Sequence, residues 1–207
     1  KSAITQGIYK DLWSIGDEIT IFADDGNYEF EIADFDHDPV SGESRTAPIT
    51  LALKNLMSTP QKMNTGSFNT GSYAASLLHD YLTDTVYPSL PEEWKSIILS
   101  VDKKTSAGSS STSIQTDSLN LFPFSEIELT GLSSNTVAGE GKQYPIFATA
   151  SDRIKKMSNG TGSVNAWWTR SPQKSDNSNF IIVLGSGNTA ANNAGGTYGV
   201  CFGLCIG

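Results

Sequence analysis

One short run limits the fold more than any other feature. Tyr28-Glu29-Phe30-Glu31-Ile32-Ala33-Asp34-Phe35 alternates apolar and acidic residues, the period of a strand with one buried face and one wet face. Before it stands Asp24-Asp25-Gly26-Asn27, a turn sequence because Gly and Asn accept positive φ. The run Trp13 to Phe22 supplies the first arm, so the chain opens on an antiparallel hairpin that needs a covering layer. Tyr73, Ala74, Leu77, Leu78, Tyr81 and Leu82 recur at helical spacing after a Gly71-Ser72 start, which can cap a first turn. Ser89-Leu90-Pro91-Glu92 has capping-box spacing, followed by a stripe of Trp94, Ile97, Ile98 and Val101. The spacing predicts helices over Ser72–Thr83 and Pro91–Val101, packed on short twisted antiparallel strands. Strands and helices that do not alternate regularly make this an α+β chain rather than a βαβ sheet.

Its 207 residues suit a single domain spanning 1–207. Residues Thr105 to Ser113, nearly all Ser, Thr, Gly and Ala, read as an exposed loop inserted within it. Lys and Arg total 14 against 22 Asp and Glu, a net charge of −8. That balance argues against nucleic acid, whose affinity for proteins comes mainly from basic patches, and against an anionic membrane surface. No apolar run approaches the roughly 18 residues of a membrane span, so no membrane insertion is expected.

The residues able to carry chemistry are few. Asp34, Asp36, His37 and Asp38 form the one acidic cluster with a histidine. They read as a turn whose carboxylates bond backbone N–H groups, in preference to a carboxylate metal site. Asp24, Asp25 and Asn27 lack the acidic twelfth position of a calcium loop. His79 reads as a boundary histidine, and neither histidine has a nucleophile motif beside it. No glycine loop precedes a helix to cradle phosphate, and Asn159-Gly160-Thr161 is a chance-level glycosylation sequon. No metal or cofactor is expected. Cys201 and Cys205, four apart, would sit roughly 13 Å apart on a strand, beyond the roughly 7 Å a disulfide allows. They are expected to be unpaired, small buried residues.

The C-terminal part differs in kind. After Trp167-Trp168-Thr169-Arg170-Ser171-Pro172 the only charged residues are Lys174 and Asp176. The chain there is dominated by Asn, Ser, Gly, Thr and Ala around Phe180-Ile181-Ile182-Val183-Leu184, a composition like that of adaptable binding loops. Adjacent tryptophans on a strand face opposite sides, so one is expected in the core and its neighbour at the surface.

The Gly16-Asp17 strand, the Phe35-Asp36-His37-Asp38 turn, Met63-Asn64 and Ser89-Leu90-Pro91-Glu92-Glu93-Trp94-Lys95 together resemble the DUF6273 domain of Gram-positive bacteria and their phages. Gly139-Glu140-Gly141-Lys142-Gln143-Tyr144 and Trp167-Trp168-Thr169-Arg170-Ser171-Pro172 add to that resemblance. The stretch from Asn179-Phe180 through Gly199-Val200 to Gly203-Leu204-Cys205 resembles the variable region of diversity-generating retroelement proteins. Cys201-Phe202 departs from that pattern, where a small residue and Pro would stand. The resemblance implies a C-type-lectin-like fold, with 165–207 as the ligand-display region. It implies diversified positions among Ile181, Ile182, Leu184, Ser186, Asn188, Ala190, Ala191, Asn192, Asn193, Gly195, Gly196, Thr197 and Tyr198.

The resulting expectation is a binding module and not an enzyme. Its ligand would be a protein or glycan on a cell surface, and it would sit extracellularly, on a virion or on a bacterial surface. Its contact face would comprise Trp168, Ile181, Ile182, Leu184, Ser186, Asn188, Asn192, Asn193, Thr197 and Tyr198. Two exposed Ile and a Leu would form an apolar patch, with Phe180, Val183 and Val200 as buried anchors. One alternative is an oxidase similar to the formylglycine-generating enzymes, which share that general fold and use a C-terminal cysteine pair. Another is a structural domain of a larger surface protein.

Overall fold

The structure, a computed structural model, describes residues 2–24, 26–158 and 162–207. Asp25 of the first turn and the sequon at 159–161 lie outside the described residues. Two single-turn helices, α1 (Ser2–Thr5) and α2 (Tyr9–Leu12), precede the hairpin. Strands β1 (Glu18–Ala23) and β2 (Gly26–Phe35) pair antiparallel, with Ala23 opposite Gly26. Gly16, at φ 91°, donates its N–H to the Ile32 carbonyl while the Ile32 N–H donates to Asp17. That is a glycine-first bulge, which sharpens the local twist.

β2 pairs with β3 (Ile49–Leu53), and β3 with the last strand of the chain, Gly203–Ile206. That last strand also pairs with Ile98–Leu99 and Leu121–Phe122, so it lies inside a six-stranded sheet. In chain order the remaining strands are β4 (Gln61–Lys62), β5 (Ile98–Leu99), β6 (Val101–Ser106), β7 (Ile114–Leu119), β8 (Leu121–Phe122), β9 (Trp167–Pro172), β10 (Asn179–Val183), β11 (Thr189–Asn193) and β12 (Thr197–Tyr198), with Gly203–Ile206 as β13. β9, β10 and β11 form a second sheet with β10 in the middle; β12 pairs with β4 and β6 with β7. Every ladder between these strands is antiparallel. The fold is therefore mixed α+β, mostly antiparallel strands with few and short helices.

The helices are where the sequence reading needs correction. Ser72 sits at φ 65°, and a 3-10 turn, Tyr73–Ala75, is followed by extended backbone at Ser76. Ser76 Oγ accepts the His79 N–H and starts α3 (Leu77–Tyr81), so the cap is Ser76 rather than Gly71-Ser72. The helix then widens into a π turn over Leu82–Val86 and ends in α4 (Tyr87–Ser89), beyond Thr83. The second expected helix shrinks to α5 (Glu92–Lys95), and Ser89 bonds Val86 O instead of forming a capping box. Ile98 and Val101 are strand residues, because pairing with Ile206 and with Leu119 overrides the helical spacing. Nor is Thr105–Ser113 wholly an exposed loop: Thr105 and Ser106 are buried in β6, and the exposed part lies at the hairpin tip. A helix the spacing does not single out, α6 (Glu126–Thr130), carries a complete capping box from Ser125 and Glu128 and ends at Gly131, φ 72°.

One contiguous apolar cluster runs from Phe30 and Leu51 of the first sheet to Trp167, Trp168, Phe180 and Ile182 of the second. Between the sheets lies a buried ionic network. Lys103 Nζ donates to Asp38 at 2.7 Å and to Tyr144 at 2.9 Å, and pairs with Glu128 at 2.6 Å. Glu128 also takes both terminal nitrogens of Arg170, at 2.5 and 2.8 Å. Asp38 is therefore not the backbone-bonding turn residue expected of it, although Asp34 does accept the Phe35 N–H at 2.8 Å. Burial alone would raise Asp38 and Glu128, but Lys103 and Arg170 outweigh it and hold both below the usual carboxylate range. Two anions against two cations leave the network neutral, which is what keeps its burial tolerable.

Candidate functional site

The C-terminal sheet is built from the inside outward. Phe180, Ile181, Val183 and Val200 are fully buried, and Ile182 is 1% exposed. Phe180, Val183 and Val200 are thus the anchors their spacing suggests. Ile181 and Ile182 are anchors as well, which corrects the expectation that they form an exposed patch with Leu184. The cause is their position: β10 is the middle strand of its sheet, and both of its faces are covered. A continuous apolar run is the signature of such a strand. Trp168 is likewise no rim residue. Both tryptophans are 0% exposed; Trp167 Nε1 donates to Arg153 O at 3.1 Å and Trp168 Nε1 to Gln61 O at 2.9 Å.

The outward side chains sit on β11 and on the two connections that flank it. Leu184, Ser186 and Asn188 are exposed at the β10–β11 turn. Asn192, Asn193 and Tyr198 are half-buried and Thr197 is exposed at the opposite end of the hairpin. The register places Thr189 opposite Val183 and Asn193 opposite Asn179, so the two groups lie roughly 14 Å apart along the strand. The structure thus brings Asn192, Asn193, Thr197 and Tyr198 together and sets Leu184, Ser186 and Asn188 apart. Tyr198 packs edge-on against Trp168, with ring centroids 4.9 Å apart.

The backbone of this segment is held by side chains from elsewhere in the chain. Buried Asn69 donates Nδ2 to the carbonyls of Asp176 and Asn179, at 3.1 and 2.9 Å, and its Oδ1 accepts the Ser109 N–H at 2.7 Å. Arg153 Nε donates to Gly187 O at 2.9 Å. Gly187 is at φ 79°, and a Cβ there would stand 1.7 Å from Ala150 O. Thr169 Oγ1 donates to Ile181 O, Asn64 N–H donates to Ala194 O, and Thr189 Oγ1 reaches Glu126 Oε1 at 2.7 Å.

Sequence reasoning misses the other wall of the cluster at Asn193. Ser67 Oγ bonds Asn193 Oδ1 at 3.0 Å, Gly66 lies against Gly195, and Phe68 is 41% exposed in the same loop. β4 adds Gln61 and Lys62 beside Tyr198 and Thr197. No local pattern announces these residues, because the pairing joins segments far apart in sequence.

The remaining thiols and histidines lie elsewhere in the fold. Cys201 and Cys205 are buried free thiols, as expected of small core residues. Burial pushes the Cys201 thiol up to about 11, and burial with the nearby Asp38 carboxylate raises Cys205 well above its ordinary value. Cys205 Sγ lies 3.3 Å from Thr50 Oγ1 and from Asp38 Oδ2. Neither thiol is the accessible, acidified sulfur that reactive cysteines require. His37 Nδ1 sits 2.6 Å from Asp34 and its ring stacks on Tyr144 at 3.8 Å. His79 is half-buried, edge-on to Tyr73. Among the described residues no group of three or more His, Cys, Asp and Glu could hold a metal ion, and no helix is long and apolar enough to cross a membrane.

A family model described as a domain of unknown function (DUF6273) matches residues 49–206, well over half of the chain. No curated protein and no solved structure matches it.

Proposed function

The chain belongs to the DUF6273 family, and from that premise we propose that it is a ligand-binding module. Its contact surface would be Leu184, Ser186, Asn188, Asn192, Asn193, Thr197 and Tyr198, joined by Ser67 and Phe68. Ile181, Ile182 and Trp168 serve this surface as framework rather than as contacts. One observation carries the reading: the segment 177–198 is uncharged and held by the buried side chains of β10 and by backbone bonds from Asn69 and Arg153, which leaves Leu184, Ser186, Asn188 and Thr197 exposed outside the core. A scaffold of that kind suits a surface whose side chains change while the fold stays, as in the variable proteins of diversity-generating retroelements with their C-type-lectin-like fold. Small polar residues beside one rigid aromatic suit a protein or glycan ligand. Display on a phage particle or a bacterial surface follows from the same reading.

The test is a variant carrying Ser186→Lys, Asn188→Lys, Asn192→Lys and Thr197→Lys together. Parent and variant are screened against an array of bacterial surface glycans and a displayed peptide library. The proposal expects saturable binding by the parent in at least one pool, lost in the variant while its melting temperature stays within about 5 °C, since surface substitutions cost little. Absence of saturable binding in both pools, or binding that survives in the variant, contradicts it.

A further inference from the structure

The first sheet ends in an open edge. Among the described residues β1 pairs with β2 alone, the Asp24 N–H just past its end donating to Ser89 O, and the bulge at Gly16 fixes the parity of that ladder. The Ile32 N–H donates to Asp17, so Ile19 and Ile21 exchange bonds with β2, while Glu18, Thr20 and Phe22 turn their N–H and C=O groups outward. Natural edges of this kind are usually blunted or covered. On the edge strand itself Phe22 is 70% and Ile19 37% exposed, and Leu12, Trp13 and Ile15, just before it in the chain, are 57%, 37% and 41% exposed. With Ile8, the stretch 8–22 holds half of the exposed large hydrophobic residues described for the molecule. It also lies outside the part matched by the family model, which begins at residue 49.

The charge around the edge selects its occupant. On the face of Thr20 and Phe22 the register sets Glu18 opposite Glu31 and Thr20 opposite Glu29, and Asp17 and Asp24 stand at the two ends of the strand. Lys54 meets Glu18 at 2.6 Å, and Lys10 is paired with Asp36, which leaves the patch acidic. A second copy is a poor fit, because antiparallel pairing of two β1 strands brings Glu18 of each against the Asp24 end of the other, and like charges across a ladder repel. We propose that β1 is a docking edge for an extended segment of another polypeptide, one that alternates Lys or Arg with apolar residues and adds to the sheet as a further strand. Main-chain bonds to Glu18, Thr20 and Phe22 would supply affinity. The acidic face and the apolar side chains would supply selectivity.

The probe is a fluorescein-labelled heptapeptide alternating Lys and Val, titrated against the full chain by anisotropy, with a Glu–Val heptapeptide as its counterpart. Thr20→Pro removes an outward N–H and no ladder bond, the placement a strand tolerates in proline. Phe22→Ser removes the most exposed apolar contact and serves if the proline variant fails to fold. Saturable binding of the basic peptide is expected, weakened about tenfold or more in each folded variant and reduced by salt, with no binding of the acidic peptide. The proposal is overturned by equal binding to parent and variants, by no saturation at millimolar peptide, or by a parent dimer that Thr20→Pro converts to monomer.

Discussion

Glu140 shows how one side chain ties the buried network to the C-terminal sheet. It is 0% exposed, accepts the Ser106 N–H of β6 at 2.8 Å, and bonds the Ser171 hydroxyl of β9. Asp38 and Glu128 already balance Lys103 and Arg170, so an ionised Glu140 is a third anion against two cations. Burial pushes its carboxyl up to about 7. The protonated form is therefore favoured by folding. The stability it contributes is complete below its ordinary value of 4.5 and is lost as pH rises through about 7, in all about 3 kcal/mol. Glu140→Gln keeps an acceptor for Ser106 and cannot ionise. Urea unfolding at pH 5 and pH 8 is expected to show a stability difference smaller by about 2–3 kcal/mol in the variant than in the parent. An equal difference in the two proteins contradicts a titrating Glu140.

At the scale of elements, the β10–β11 turn depends on backbone geometry more than on side chains. Gly187→Ala puts a Cβ into Ala150 O at a positive φ and is expected to cost about 2 kcal/mol or more, measured as a lowered melting temperature. Asn188→Ala, one residue on and exposed, is expected to change it little. The same contrast explains what the sequence made legible. The β1–β2 hairpin was readable because its turn and its period-two pattern are local. The long helices were not, because Ile98 and Val101 follow a helical spacing yet find strand partners far along the chain. Ser125-Glu126-Ile127-Glu128 carried a legible capping box, but α6 is too short for a periodic stripe. Ile181 and Ile182 are expected outside yet lie inside, since a short apolar run reads the same on a central strand as on an exposed ridge.

At the scale of the whole molecule, a six-stranded sheet, a three-stranded sheet and two two-stranded ladders share one apolar core and one neutral ionic network, with β11 and its flanking turns toward the outside. β13, inside the first sheet, follows the β10–β11 hairpin in the chain after the short strand β12. Its residues close the core, so the hairpin is held at both ends, by β9 before it and β13 after it. On the proposed function, this framework stands independently of the side chains on its outer surface. A library randomised at Trp168, Ile181, Ile182, Leu184, Ser186, Asn188, Asn192 and Thr197, sorted for protease resistance and sequenced, tests it most directly. Every residue class is expected at Leu184, Ser186, Asn188, Asn192 and Thr197 among the survivors, and only large apolar or aromatic residues at Trp168, Ile181 and Ile182. Survivors that restrict the first group as tightly as the second, or that accept charged residues at Ile181 and Ile182, would contradict it.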